Sequence, residues 1–212
     1  MQPLLLVPAL VLASQPVQGT RTLAFLGDSL TAGYGVDSLE AYPSLVEARL
    51  KSRGLKWRVL NAGISGDTSA GGLRRLDWLF KQPIAVLFVC LGANDGLRGI
   101  PLATTEANLR AIIDRAQAKG SVVVLAGMQL PENYGPDYRT GFQTLYARLA
   151  REKKVAFLPF LLQDVAMHPE LNQEDRIHPN AAGHRRVADN VWKLLEPILT
   201  GKSPESPRGL TK

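Results

Sequence analysis

The chain has 212 residues, 45% of them apolar and 21% charged, the composition of one folded domain and not of a disordered segment. A net charge of +6 spread without a long basic run argues against a dedicated nucleic-acid binder. A single cysteine excludes an intramolecular disulfide and any multi-cysteine metal site.

The first predicted element is an apolar run, Leu4 to Ala13, too short to span a bilayer as a helix. Small residues at Val17-x-Gly19 follow it, so residues 1–19 read as a secretory signal and the mature chain as periplasmic or secreted. No Lys or Arg precedes the run, which keeps open an apolar N-terminus packed on a cytoplasmic protein. No other stretch reaches transmembrane length, and no stable membrane insertion is expected.

From Thr22 onward, short runs rich in Val, Leu, Ile and Phe alternate with amphipathic segments. Strands are predicted at 22–27, 58–61, 84–91, 121–127 and 155–160. Helices are predicted from Pro43 to about Arg53, from Ser69 to Gln82 behind a cap at Thr68 or Ser69, and from Tyr138 to Lys153. Leu109, Ile112, Ile113 and Ala116 make one buried helical stripe, and Val187, Val191, Leu194, Leu195 and Ile198 make another. Such alternation predicts an α/β doubly wound fold with five parallel strands, one domain over residues 20–199. Residues 200–212 form a polar Pro/Gly/Ser-rich tail.

In an open parallel sheet, ligands meet the chain just beyond the carboxyl ends of the strands. After the first strand stands Gly27-Asp28-Ser29-Leu30-Thr31, where Ser29 is a candidate nucleophile. An ordinary turn, or a phosphate cradle, fits the same residues; the latter lacks the Walker lysine and the G-x-G-x-x-G order. After the second strand, Gly66 can offer a backbone N–H to an oxyanion. After the third, Asn94 can offer a side-chain amide.

Asp175-Arg176-Ile177-His178-Pro179-Asn180 supplies a base and its orienting carboxylate, His178 and Asp175, one three-residue turn apart. Pro179 biases His178 toward extended backbone, and Asn180 can cap the last helix. Neither of the other histidines has an Asp three residues upstream; His168 lies in a loop and His184 is expected to be solvated at the start of the last helix. The three histidines show no zinc spacing. A nucleophile, two oxyanion donors and a His–Asp pair at one sheet edge are what serine acyl transfer requires. The G-x-S-x-G elbow of the α/β-hydrolases is absent, since Thr31 stands at its second glycine.

At these residues the sequence resembles the SGNH hydrolases, also called the GDSL esterase/lipase family. Ser29, Gly66, Asn94 and His178 match the four residues of the family's name, with Asp175 completing a triad. The likeness spans about residues 22–199 and is greatest to bacterial periplasmic enzymes described as acyl-CoA thioesterase, lysophospholipase and arylesterase. Its blocks include Ile64 to Thr68, Asn94 to Gly99, Leu130 to Gly135 and Ile177 to Asn180. Arg176 and Ala93 depart from the common pattern, the first adding positive charge near the site.

The resemblance implies a flavodoxin-like three-layer α/β/α fold with strand order 2-1-3-4-5, no metal and no cofactor. It implies hydrolysis of medium to long acyl esters and thioesters through an acyl-enzyme on Ser29, with the N–H groups of Ser29 and Gly66 and the Asn94 amide as oxyanion hole. Loops 96–101 and 129–138 flank the site, and their Leu97, Ile100, Leu130 and Tyr134 are candidates to line an acyl groove. Asp28 is read as shaping the Ser29 turn, and Cys90 as a buried, inert thiol. The expected partner is a small acyl ester or thioester handled by a monomer. A carbohydrate acetylesterase using the same residues is the alternative enzyme, and a non-catalytic flavodoxin-like binding module the alternative from another class.

Overall fold

The computed structural model describes residues 19–201, so the proposed export signal and the C-terminal tail lie almost entirely outside the described residues. Five strands, β1 (Arg21–Gly27), β2 (Trp57–Gly63), β3 (Val86–Cys90), β4 (Val122–Ala126) and β5 (Ala156–Leu158), form one all-parallel sheet. Its order is β2-β1-β3-β4-β5, as the family resemblance implies; the alternation of strands and helices had implied the five parallel strands. Among the described residues, seven α-helices connect and cover it: α1 (Ser29–Ala32), α2 (Tyr42–Ser52), α3 (Ser69–Leu79), α4 (Ala93–Leu97), α5 (Leu102–Ala118), α6 (Pro136–Lys153) and α7 (Ala181–Thr200). The right-handed crossover usual between parallel strands calls for α2 and α7 on one face and α3, α5 and α6 on the other. The packing agrees, with α2 against α7, α3 against α5, and α5 against α6.

Burial explains why the central strands were legible as apolar runs. Every residue of β3 is buried, as are Thr22 to Gly27 of β1. At the edge of the sheet, β2 extends beyond the predicted 58–61 to Trp57–Gly63. Its partly exposed polar residues break the hydrophobic pattern, yet the ladder to β1 continues to Gly27↔Gly63.

Cys90 is also level with Gly27, so β1, β2 and β3 end in register. The segments carrying Ser29, Gly66 and Asn94 therefore leave the sheet at one edge. The strand order reverses between β1 and β3, the crevice where ligands bind in open α/β sheets.

Candidate active site

Ser29 opens the short helix α1 immediately after β1. Asp28 caps it, its Oδ1 accepting from Leu30 N at 3.0 Å. Gly27 is required by crowding: a Cβ there would stand 2.0 Å from Thr31 Oγ1 and 3.0 Å from the Cys90 carbonyl. Gly33, at φ +79, closes the turn by donating its N–H to Ser29 O. The Gly-Asp-Ser stretch is thus a tight strand-to-helix turn built around the serine.

His178 reaches this turn from the loop before α7. Its ring lies 2.6 Å from Asp175 Oδ2 through Nδ1 and 2.9 Å from Ser29 Oγ through Nε2. Some burial raises the pKa of Asp175, but hydrogen bonds from the His178 backbone, the His178 ring and the Ile177 N–H together bring it down to about 2. An ionised carboxylate only accepts, so Nδ1–H donates to it and the neutral ring leaves Nε2 free to accept from the Ser29 hydroxyl.

The loop itself is held rigidly. Gln173 N donates to His178 O at 2.8 Å, Asn172 bridges Pro179, and Asn180 caps α7 by accepting from Ala182 N and Gly183 N. Tyr34, which the sequence did not single out, lies against the imidazole with ring centroids 4.7 Å apart.

The oxyanion candidates meet through Asp67. Asn94, in the first turn of α4, donates Nδ2 to the Asp67 carbonyl at 3.0 Å and lies 3.5 Å from Asp28 Oδ2. Gly66, one residue before Asp67, has φ +78 and its carbonyl accepts from Arg98 Nη2 at 2.9 Å. Ser29, Asn94 and His178 line one cavity, while Gly66 stands outside its lining. Behind Asn94, the fully buried Asp95 accepts from Ser69 N at 2.8 Å and from the Ser69 and Thr105 hydroxyls, tying α4 to α3 and α5.

Burial pushes the Asp28 carboxyl up to about 6, against the lowering effects of the Leu30 N–H and of nearby His178. Asp28 shapes the serine turn as expected, and Cys90 is buried with its thiol pushed well up by burial.

The cavity measures about 910 Å³. Leu97 and Leu130 stand on its wall; Ile100 and Tyr134 do not, which corrects their expected place in an acyl groove. Tyr134 instead donates its hydroxyl to Leu97 O at 2.9 Å, and Tyr138 does the same to Ile100 O at 2.7 Å, so the two flanking loops are stapled to each other. The apolar wall is completed by Met128, Phe160, Leu162, Ala166 and Met167, which come from segments after β4 and β5. Leu162 follows the fifth predicted strand and was legible by the same rule that found Ser29, whereas Phe160 was predicted inside that strand, which ends at Leu158.

His184 is not solvated but buried, and its Nδ1 accepts from Tyr42 N at 3.3 Å. It continues the helical stripe of Val187, Val191 and Leu195, a spacing that signalled burial. Desolvation lowers its pKa to about 4, with nearby His178 adding to the effect. Among the described residues, no group of three or more His, Cys, Asp or Glu is arranged to hold a metal ion, and no helix is long and apolar enough to cross a membrane.

A five-stranded flavodoxin-like sheet with a serine, histidine and aspartate aligned at its switch point defines the class. Residues 25–186 match the GDSL-like lipase/acylhydrolase family. The chain is 43% identical over 192 residues to esterase TesA of Pseudomonas aeruginosa, covering 90% of this chain and 95% of that protein. It is 42% identical over 196 residues to thioesterase 1/protease 1/lysophospholipase L1 of Escherichia coli K12, covering 92% of each. The crystal structure of TesA superposes with a TM-score of 0.81 at 42% identity, over 84% of this chain and 99% of that one. That of the psychrotrophic esterase EstA from Pseudoalteromonas sp., inhibited by monoethylphosphonate, gives 0.81 at 32% identity, over 85% and 99%. The chain belongs to the GDSL-like lipase/acylhydrolase family.

Proposed function

We propose that the chain hydrolyses carboxylic esters and thioesters of medium to long acyl chains through an acyl-enzyme on Ser29. One observation carries the reading: the unbroken line from Asp175 through His178 to Ser29, with contacts of 2.6 and 2.9 Å. His178 Nε2 takes the hydroxyl proton as Ser29 Oγ attacks the carbonyl carbon. The resulting imidazolium is stabilised by the ionised Asp175. Negative charge on the carbonyl oxygen is met by the N–H groups of Ser29 and Gly66 and the Asn94 amide. His178 then gives its proton to the departing alcohol or thiol, and the C–O or C–S bond breaks. Water repeats the sequence, losing a proton to His178 and releasing the carboxylic acid and free Ser29.

Related proteins named esterase, thioesterase and lysophospholipase support the leaving-group range. The cavity of about 910 Å³, with an apolar wall of Met128, Leu130, Phe160 and Leu162, favours a sizeable acyl chain over the acetyl group of an acetylesterase. A non-catalytic binding module has no use for a polarised serine. The test compares wild type and Ser29→Ala on p-nitrophenyl esters of increasing chain length, with fluorophosphonate labelling beside it. Turnover and labelling are expected only in the wild type, rising beyond acetate. Undiminished turnover in the variant overturns the mechanism, and a preference for acetate alone overturns the acyl groove.

Residues 1–19 complete the reading as an export signal before a catalytic domain at 20–199 and a tail at 200–212, which makes the enzyme periplasmic or secreted. The apolar run from Leu4 to Ala13 supports it. N-terminal sequencing of the protein from fractionated cells is expected to find a mature chain outside the cytoplasm. An uncleaved cytoplasmic chain overturns it.

A further inference from the structure

Arg176 sits inside the Asp175–His178 turn with φ +58. The turn needs that left-handed conformation. Arg176 N donates to Gln173 O at 2.9 Å, and the next two N–H groups, of Ile177 and His178, both converge on Asp175 Oδ1 at 2.9 and 3.0 Å. Glycine adopts such a φ freely, whereas an arginine pays about 1 kcal/mol for it. The positioning of Asp175 therefore explains the backbone here and leaves the long cationic side chain unexplained.

That side chain is exposed on the cavity wall. Among the described residues its guanidinium has no hydrogen-bond or carboxylate partner. Arg49, Arg53, Arg75, Arg110, Arg115 and Arg148 each pair with an Asp or Glu; Arg74, Arg151, Arg185 and Arg186 are as free as Arg176 among the described residues, but none of them lines the cavity. The other arginine on the wall, Arg139, spends its Nε on Leu130 O. Of the acidic groups there, Asp28 is buried in the serine turn, and Glu132 and Asp164 sit on segments following β4 and β5, not on the Arg176 turn.

We infer that Arg176 recognises a phosphate on the leaving group, so that the enzyme selects acyl esters and thioesters whose alcohol or thiol carries one. The inference rests on the esterase reading above. His178 has to hand its proton to the departing atom, so the leaving group lies on the His178 side of the cavity. Arg176 is two residues away on the same turn. A guanidinium fork matches phosphate oxygens in shape and charge, and a phosphate's charge of nearly −2 makes an exposed pair worth more than a single carboxylate would.

The test uses matched substrates differing in phosphate. One pair is monooctanoylglycerol and its phosphate, 1-octanoyl-lysophosphatidate; the other is octanoyl-N-acetylcysteamine and octanoyl-coenzyme A. The readout is the ratio of kcat/KM for the phosphate-bearing member to that for the neutral one. Arg176→Gly is expected to lower this ratio about fivefold to tenfold, and Arg176→Lys, which keeps the charge without the fork, to lower it by less. The wild-type preference is expected to shrink at high salt. Glycine relaxes the backbone, so Arg176→Gly is expected to unfold no earlier than wild type, and lost folding cannot imitate the effect. A response in the glycerol pair alone assigns a lipid phosphate, and in the thioester pair alone a nucleotide-bearing thiol. A ratio within about twofold of wild type in both pairs overturns the proposal. Binding of octyl phosphate and octyl glucoside to Ser29→Ala, with and without Arg176→Gly, reads the same selectivity without turnover. If wild type hydrolyses none of the four substrates, the esterase reading fails, and this binding arm still decides Arg176: a phosphate preference lost with the arginine supports it, and no preference overturns it.

Discussion

Arg75 grips Asp67 through Nε at 2.7 Å while its Nη2 donates to the carbonyl of Gly27 at 2.9 Å. One side chain on α3 thus ties the end of β1, two residues before Ser29, to the loop that carries Gly66 and whose Asp67 carbonyl holds Asn94. Both partners of the ion pair are largely buried, so their fork geometry is not loosened by solvent. Lysine keeps the charge but cannot reach both acceptors. Arg75→Lys is expected to lower kcat about tenfold to a hundredfold on a p-nitrophenyl ester, with KM within about twofold, because a small displacement of positioned groups acts on the transition state. Arg75→Ala leaves the Asp67 charge unpaired and is expected to cost about 3 kcal/mol in urea unfolding.

The Asn94 amide is the oxyanion donor that mutagenesis can remove cleanly. Asn94→Ala is expected to reduce kcat about 10²- to 10³-fold with little change in KM. Steady-state kinetics at saturating substrate check it. An effect confined to KM assigns Asn94 to ground-state binding instead.

Asp175 stays ionised well into acid, its pKa held at about 2 chiefly by hydrogen bonds that outweigh the opposing effect of burial. Asp175→Asn keeps the shape of the turn but offers His178 a neutral partner. A drop in kcat of roughly 10⁴-fold is expected, with circular dichroism and thermal unfolding close to wild type. A loss below about tenfold overturns the role given to Asp175.

Two buried groups set opposite pH trends. His184, with its pKa lowered to about 4, stays neutral in the fold while the unfolded chain binds a proton near its ordinary value of 6.5. Its contribution is present above about pH 6.5 and is lost as pH falls toward 4, on the order of 3 kcal/mol. Asp28, raised from 3.8 to about 6, holds a proton in the fold that the unfolded chain has released, so it adds stability as pH falls through 6 toward 3.8. The two offset each other in this window. Asparagine also caps helices, so Asp28→Asn is expected to fold at neutral pH but to lose stability on acidification more steeply than wild type. His184→Gln is expected to do the reverse. Urea unfolding at neutral pH and at about pH 4.5 separates them, and parallel behaviour of all three proteins contradicts the assignment.

Gly27 tests how tightly the serine turn is built. A methyl there would meet Thr31 Oγ1 at 2.0 Å and Thr31 Cβ at 2.5 Å, and Thr31 is itself held by a 2.8 Å hydrogen bond to Tyr42. Gly27→Ala is expected to destabilise by about 2 kcal/mol and to lower activity in the fraction that remains folded. Both follow from one melt and one assay on the same sample.

Local sequence logic reached far here because the fold uses one rule repeatedly. Each buried strand is an apolar run, and the residue types that matter stand just past its end. Ser29 and Asn94 were found this way, whereas the Asp175–His178 turn, well beyond β5, was legible from the spacing of its aspartate and histidine, and the cap at Asn180 from its place before the last helix. Side chains that act across the chain were not. Tyr34 against His178, Arg75 between β1 and β2, and Tyr134 stapling Leu97 depend on partners far away in sequence, and nothing in their own neighbourhoods marks them. His184 was misplaced for a different reason: a polar residue was read by its type, while its helical spacing put it on the buried face.

By itself, then, the sequence determined the alternation of strands and helices, the serine turn and the spacing of Asp175 to His178. These depend on hydrophobic periodicity and on backbone preferences that act over a few residues. The tertiary structure alone decided that β1, β2 and β3 end in register, which loop side chains face the cavity, and that Arg176 stands there without a partner. Those outcomes are set by the packing of elements distant in the chain, where geometry, not residue type, selects which polar groups meet and which stay free.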